Sequence, residues 1–198
     1  MKKLSYITMA LGAALLIQAC GGTTTDSTEK ADSANTAKVD SNKKDSAATT
    51  PAISVDKADA EFAVAAANGG MAEVAIAKLA QTKTKDAKVK AFADMMVTHH
   101  GKANDELMAL AKAKNITLPT TVSNDKQKEM DGLAKKEGAD FNKAYIDAMI
   151  DGHKKTIELF EYESTNAKDP DLKVFADKTL PTIKMHLKHI QGIKDGMK

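Results

Sequence analysis

The chain of 198 residues has no tryptophan and no arginine, a single cysteine and four prolines, and aromatic residues make up only 4% of it. Each absence excludes something. One cysteine leaves no intramolecular disulfide and no thiolate metal cluster. Without arginine the chain lacks the planar fork that reads phosphates and bases, and a net charge of +2 offers no basic stripe, so a nucleic-acid partner is not expected. No glycine-rich phosphate loop is present, and neither Ser123 nor Ser164 forms a convincing Ser-His pair. No alternating strand pattern and no convincing internal repeat occur. What remains is 42% apolar residues, enough for a helical core of Ala, Leu, Ile, Met and five Phe.

Residues 1–19 read as a targeting segment. Lys2 and Lys3 precede the mostly apolar stretch Ile7 to Ile17, and Ala19-Cys20 follows. The segment resembles a bacterial lipoprotein signal, which implies that Cys20 is lipidated and becomes the first mature residue. An uncleaved membrane anchor is the alternative, but the run is shorter than the ~20 residues a spanning helix needs. Residues 20–54 then comprise the lipidated cysteine and a stretch rich in Thr, Ser, Ala, Asp and Lys. So little apolar surface predicts a disordered linker, with a root-mean-square span of roughly 30 Å.

The folded domain is expected over residues 55–198, and its pattern is helical throughout. Asp56 can cap a first helix carrying Phe62, Ala66, Ile76, Ala77 and Ala80, with Asn68-Gly69-Gly70 as a close-packing point inside it or, alternatively, a break into two helices. Asp86 can cap a second, with Val89, Phe92, Met96, Leu107 and Leu110 on one face. A short helix from Asn124 to Lys136 should stop at Gly138, and Asp140 should open the third long helix, with Ile146, Met149, Ile157 and Phe160. Asp169-Pro170 marks the last start, followed by Leu172, Phe175, Ile183 and Ile190. Four long amphipathic helices and one short extra helix predict a four-helix bundle.

Each long helix carries one polar residue inside its apolar stripe. At 100° per residue His100 falls about 40° from Met96 and about 20° from Leu107. His153 lies between Met149 and Ile157, His186 between Phe175 and Ile190, and Glu73 between Phe62 and Ala77. All four stand roughly 18 to 25 Å from a bundle end at ~1.5 Å per residue, so they can share one plane.

A carboxylate buried beside imidazoles needs partners. A metal held by Glu73, His100, His153 and His186 is one solution, a buried hydrogen-bond network is another, and separately satisfied core histidines a third. Met96 and Met149 each precede a histidine by four residues. As ligands they would suit copper, whereas histidines with Glu73 suit zinc or iron; as plain core residues they would do neither. His99 and His189 sit on the flanks of their stripes. The residues three before His100, His153 and His186 are Val97, Ile150 and Ile183, so the Glu-x-x-His pattern of a di-iron centre is missing and ferroxidase or oxygen-activating catalysis is not expected.

The segments GGMAEVAIAKLA, FADMMVTHHGKANDEL, DFNKAYIDAMIDGHKK and FADKTLPTIKMHL resemble the bacterial envelope family known as domain of unknown function 4142, over about residues 57 to 194. That resemblance implies a ferritin-like bundle in the periplasm or at the outer membrane, with no established activity; the sequence does not identify a protein partner. It implies recurring histidines at His100, His153 and His186, with an aspartate usual where this chain has His99. The His99-His100 doublet is also similar, over a turn or two, to a copper-associated bundle family with a Met-Met-x-x-His-His signature.

Overall fold

The computed structural model describes residues 25–43 and 53–197; the expected signal segment and Cys20 lie outside them. Among the described residues there are six helices and no strand: α1 (Ser27–Lys43), α2 (Lys57–Lys83), α3 (Ala87–Ala113), α4 (Asn124–Ala134), α5 (Gly138–Asn166) and α6 (Pro170–Asp195). Three of the long helices start where the sequence places a cap. Asp56 accepts from the Asp59 amide, Asp86 from Lys88 and Val89, and Asp169 from Asp171 and Leu172. Each cap satisfies donors that the first helical turn leaves without a partner.

The ends of the helices fix the topology. Asp59 near the start of α2 accepts hydrogen bonds from the amides of Lys168 and Asp169, at 3.2 and 2.6 Å. Lys114 just after α3 pairs with Asp169 and Asp171, at 2.7 and 2.8 Å. The start of α2, the end of α3, the end of α5 and the start of α6 therefore share one end of the molecule, which we call the upper end. At the lower end, Lys83 closing α2 bonds to the Lys136 carbonyl at 2.9 Å and pairs with Glu137, just before α5. It follows that α2–α3 and α5–α6 are antiparallel pairs, and that the segment containing α4 returns the chain along the length of the molecule. This arrangement is consistent with the expected four-helix bundle.

Helix α2 runs unbroken through Gly69-Gly70, as its in-phase pattern predicts. A Cβ on Gly70 would fall 2.0 Å from Asn104 Oδ1, so glycine there makes room for the Asn104 carboxamide of α3 against α2. Helix α2 alone among those described has the length and apolar content to cross a membrane, but much of that stretch is buried in the core.

Two apolar clusters lie one above the other. The upper one gathers Phe62, Leu107, Phe160, Leu172, Phe175 and Ile183. Its phenylalanines meet edge-on or tilted, at centroid distances of 5.1, 5.8 and 6.4 Å. The lower one is built around Ile76, Phe92, Met96, Phe141, Tyr145 and Met149. Each large side chain buried in this way stabilises the fold by about 1.5–3 kcal/mol. Between the clusters, the four polar residues Glu73, His100, His153 and His186 occupy one buried layer.

Two expectations are corrected. Gly138 does not end the short helix, which stops at Ala134; it starts α5, and its φ of 56° lets the chain reverse direction between the two. The expected disordered linker at 20–54 contains helix α1. Ala31, Asn35 and Val39 form one buried face of that helix, and polar contacts hold it. The Asn35 amide donates to the Thr117 carbonyl at 2.9 Å and accepts from the Thr117 N–H at 2.7 Å. Lys38 reaches the Asn115 carbonyl and the Thr117 hydroxyl, at 2.7 and 2.8 Å. The loop after α3 thus supplies partners that the composition of α1 does not reveal.

Candidate functional site

Each member of the buried layer is delivered by the stripe that buries its helix. Continuing the apolar phase of α2, α3, α5 and α6 through the middle of the bundle turns Glu73, His100, His153 and His186 inward. All four are nearly inaccessible to solvent. His100, His153 and His186 each present a ring nitrogen to a common point, with all three nitrogens within 4.8 Å of one another. Glu73 borders this group, with Oε2 at 3.0 Å from His100 Nδ1 and Oε1 at 3.5 Å from His153 Nδ1. These are ion-pair distances, yet neither carboxylate oxygen receives an aligned hydrogen bond from the described residues.

The hydrogen bonds that do form leave ligand positions open. His153 Nδ1 lies 2.7 Å from the Met149 carbonyl, which can only accept, so Nδ1 carries the proton and Nε2 keeps its lone pair. His153 Nε2, His100 Nε2 and His186 Nδ1 are all buried without a hydrogen-bond partner among the described residues. Buried polar atoms are normally satisfied, and three imidazoles each with an open nitrogen fit an ion that takes nitrogen ligands. Two nitrogens on a tetrahedral ion stand about 3.4 Å apart for bonds of ~2.0–2.1 Å, so small ring rotations would close the group around one.

Electrostatics point the same way. Burial pushes His153 down, and His100 adds to this, against an opposing pull from Glu73. Burial also pushes His186 down, to about 3, with His100, His153 and His99 adding repulsion. Both rings are therefore neutral, the form that binds metal. Burial raises the Glu73 carboxyl, but the attraction of His100, helped by His153 and Lys126, outweighs it and holds the pKa at about 2. The layer thus sets the ionised Glu73 carboxylate beside two neutral imidazoles, those of His153 and His186. A cavity of about 20 Å³ bounded in part by Glu73, His100, Asn104 and Thr156 adjoins it, with room for one small molecule such as water.

The other predicted residues divide. Met96 and Met149 are fully buried in the lower apolar cluster, the place of core side chains. His99 is exposed, but its Nδ1 lies 2.8 Å from His186 Nε2 and the two rings stack at 5.1 Å, so it touches the layer from outside. His189 is exposed and packs edge-on against Phe92 at 5.7 Å, outside the histidine group.

Two buried carboxyls at the upper end and one phenol went unforeseen. Glu163 is raised to about 8 by burial and by the neighbouring charges of Asp59, Asp56 and Asp169. Asp59 is also raised by burial, against the amides of Lys168 and Asp169. Glu163 falls about 60° from Phe160 around α5, and Asp59 about 60° from Phe62 around α2, which was the available signal. The buried Tyr145 hydroxyl has no partner among the described residues, and burial together with Glu73 raises its pKa.

Fold and site together define an all-helical protein whose long helices enclose a layer of imidazoles. The chain belongs to the family described as Domain of unknown function (DUF4142), whose profile matches residues 42–193. No curated protein matches it. Two solved structures are similar in fold. One is a DUF305 fragment from Deinococcus radiodurans, 12% identical, with a TM-score of 0.63 over 70% of this chain and 96% of the other. The second is CopM in its Cu(I)-bound form, 16% identical, with a TM-score of 0.61 over the same shares.

Proposed function

We propose that this chain binds one transition-metal ion between its helices, through His100, His153 and His186 with Glu73 alongside, for storage, buffering or sensing. The observation that carries this reading is the convergence of three buried imidazoles from three helices, together with the open ring nitrogen that each retains. Copper is the leading ion, because the similar CopM fold is known with Cu(I) bound and imidazole suits copper; zinc and iron are the alternatives. The single long return between α3 and α5 supports a ferritin-like class of bundle.

We further propose that Cys20 anchors the chain to a membrane of the bacterial envelope, on the periplasmic side or at the outer membrane. Mass spectrometry of the chain from membranes would show an acylated Cys20, and Cys20→Ser would release it to the soluble fraction. An unmodified cysteine would remove the proposal.

A second reading is favoured by one contact. The 3.0 Å approach of Glu73 to His100 is what a buried charge network fixing helix register would show, in a structural or partner-binding protein without metal. Elemental analysis of the full chain purified without chelator, followed by titration with copper, zinc and iron, separates the two. One ion per chain, lost in His153→Ala with its helical circular dichroism retained, supports the metal. If His153→Ala does not fold, His186→Gln takes its place. No uptake by the parent, or equal uptake by the folded variant, leaves the network.

A further inference from the structure

The buried layer has one imidazole contact that reaches solvent. His99 is exposed on α3 and lines a groove of about 280 Å³ between α3 and α6, together with Met185, Glu106 and Lys178. Met185, an exposed methionine, also lines the adjoining groove, where His189 lies. A thioether and an imidazole facing one groove are the donor pair that a soft cation such as Cu(I) takes. On its inner side, the His99 ring stacks on His186 at an angle of 19°, with Nδ1 at 2.8 Å from Nε2. No other histidine combines an exposed ring with a hydrogen bond to the layer among the described residues.

Resting on the reading above that the inner layer binds metal, we propose that His99 and Met185 form an outer capture site for Cu(I), from which the ion passes to His186. The hydrogen bond between the two rings holds a single proton, and this couples the sites. An ion on His99 Nε2 requires the proton on His99 Nδ1, donated to His186 Nε2. His186 Nδ1 is then N–H in the neutral ring and cannot be a ligand. An ion on His186 Nδ1 requires the reverse: His186 Nε2–H donates to His99 Nδ1, and His99 Nε2 is N–H. One site is therefore competent at a time while the contact holds. Transfer inward moves that proton across the 2.8 Å bond to His186 Nε2, releases the proton of His186 Nδ1 as the ion takes its place, and lets the exposed His99 Nε2 take one from solvent, so the ring pair keeps two protons. The ion changes ligands without changing oxidation state.

The experiment is anaerobic stopped-flow transfer of Cu(I) from a colorimetric Cu(I) chelator to the full chain, compared with His99→Gln and Met185→Leu. In His99→Gln the introduced amide oxygen can still accept from His186 Nε2, so the inner site is kept while the outer donor is lost. The expected result is about one Cu(I) per chain in all three proteins, with entry slowed about tenfold or more in His99→Gln and about threefold in Met185→Leu. Both substituted positions are exposed, so the fold is retained. Unchanged entry rates in both variants, with copper still bound, would overturn the capture site alone. Absence of Cu(I) uptake by the parent would overturn the inner site and the capture site with it.

Discussion

Two carboxyls buried in this molecule behave in opposite ways. Glu73, in the middle layer, faces imidazoles and is held ionised, with its pKa lowered to about 2. Glu163, at the upper end, faces Asp59, Asp56 and Asp169 and is raised to about 8, which keeps it protonated at neutral pH. Burial pushes both upward, so burial does not decide the charge. The neighbours do, and the neighbours come from other helices. The middle layer consequently holds an ionised carboxylate among ligand groups, and the upper end a protonated one among other acids.

The strongest way to break this contrast is to lower the pH of the metal-free protein. His186 and His153 are neutral in the fold, whereas their unfolded forms take up a proton below about pH 6.5. Stability is therefore complete above that value and falls as the pH drops toward about 3, the folded value of His186. The slope approaches ~1.4 kcal/mol per pH unit for each ring. Glu73 adds to the loss between about 4.5 and 2. Urea midpoints measured across this range check it, and a flat profile would contradict the neutral state of these two rings.

Matched substitutions sharpen the contrast. Glu73→Gln keeps the shape but removes the carboxylate that lies 3.0 Å from His100 Nδ1, and should cost about 1.5–3 kcal/mol at pH 7 by chemical denaturation. Glu163→Gln should do the reverse. The wild-type acid is protonated in the fold and ionises when unfolded, so its contribution to stability is lost as pH rises from about 4.5 to 8. The variant should gain about 1–3 kcal/mol at pH 8 and nothing at pH 4. If both substitutions shift stability in the same direction, partner identity does not set the charge.

The smallest effect is expected outside both layers. Asn35→Ala removes the paired hydrogen bonds to Thr117 and should cost about 1–2 kcal/mol. Hydrogen exchange would show α1 opening while α2 and α5 stay protected.

The middle layer was legible in the sequence because helical phase is a local property. His100, His153 and His186 fall inside stripes whose period can be counted, and the caps Asp56, Asp86 and Asp169 stand at the predicted starts. The upper layer was not, because Asp59 and Glu163 sit on stripe edges, and the loop amides of Lys168 and Asp169 that hold Asp59 lie more than a hundred residues away in the chain. Helix α1 was missed for a related reason: its anchors are Asn35 and Lys38 reaching a loop about eighty residues away, a contact that no periodicity encodes. His99 reads as a flanking residue by angle, and only the three-dimensional packing of α3 on α6 brings it to His186.

The most direct test of the central claim is anomalous diffraction at the copper edge from crystals of the copper-loaded chain. One strong peak is expected inside the bundle, at about 2.0–2.1 Å from nitrogens of His100, His153 and His186, the distance expected for imidazole on a first-row ion. Copper only on the surface, or no peak within the layer in a fully loaded protein, would contradict it.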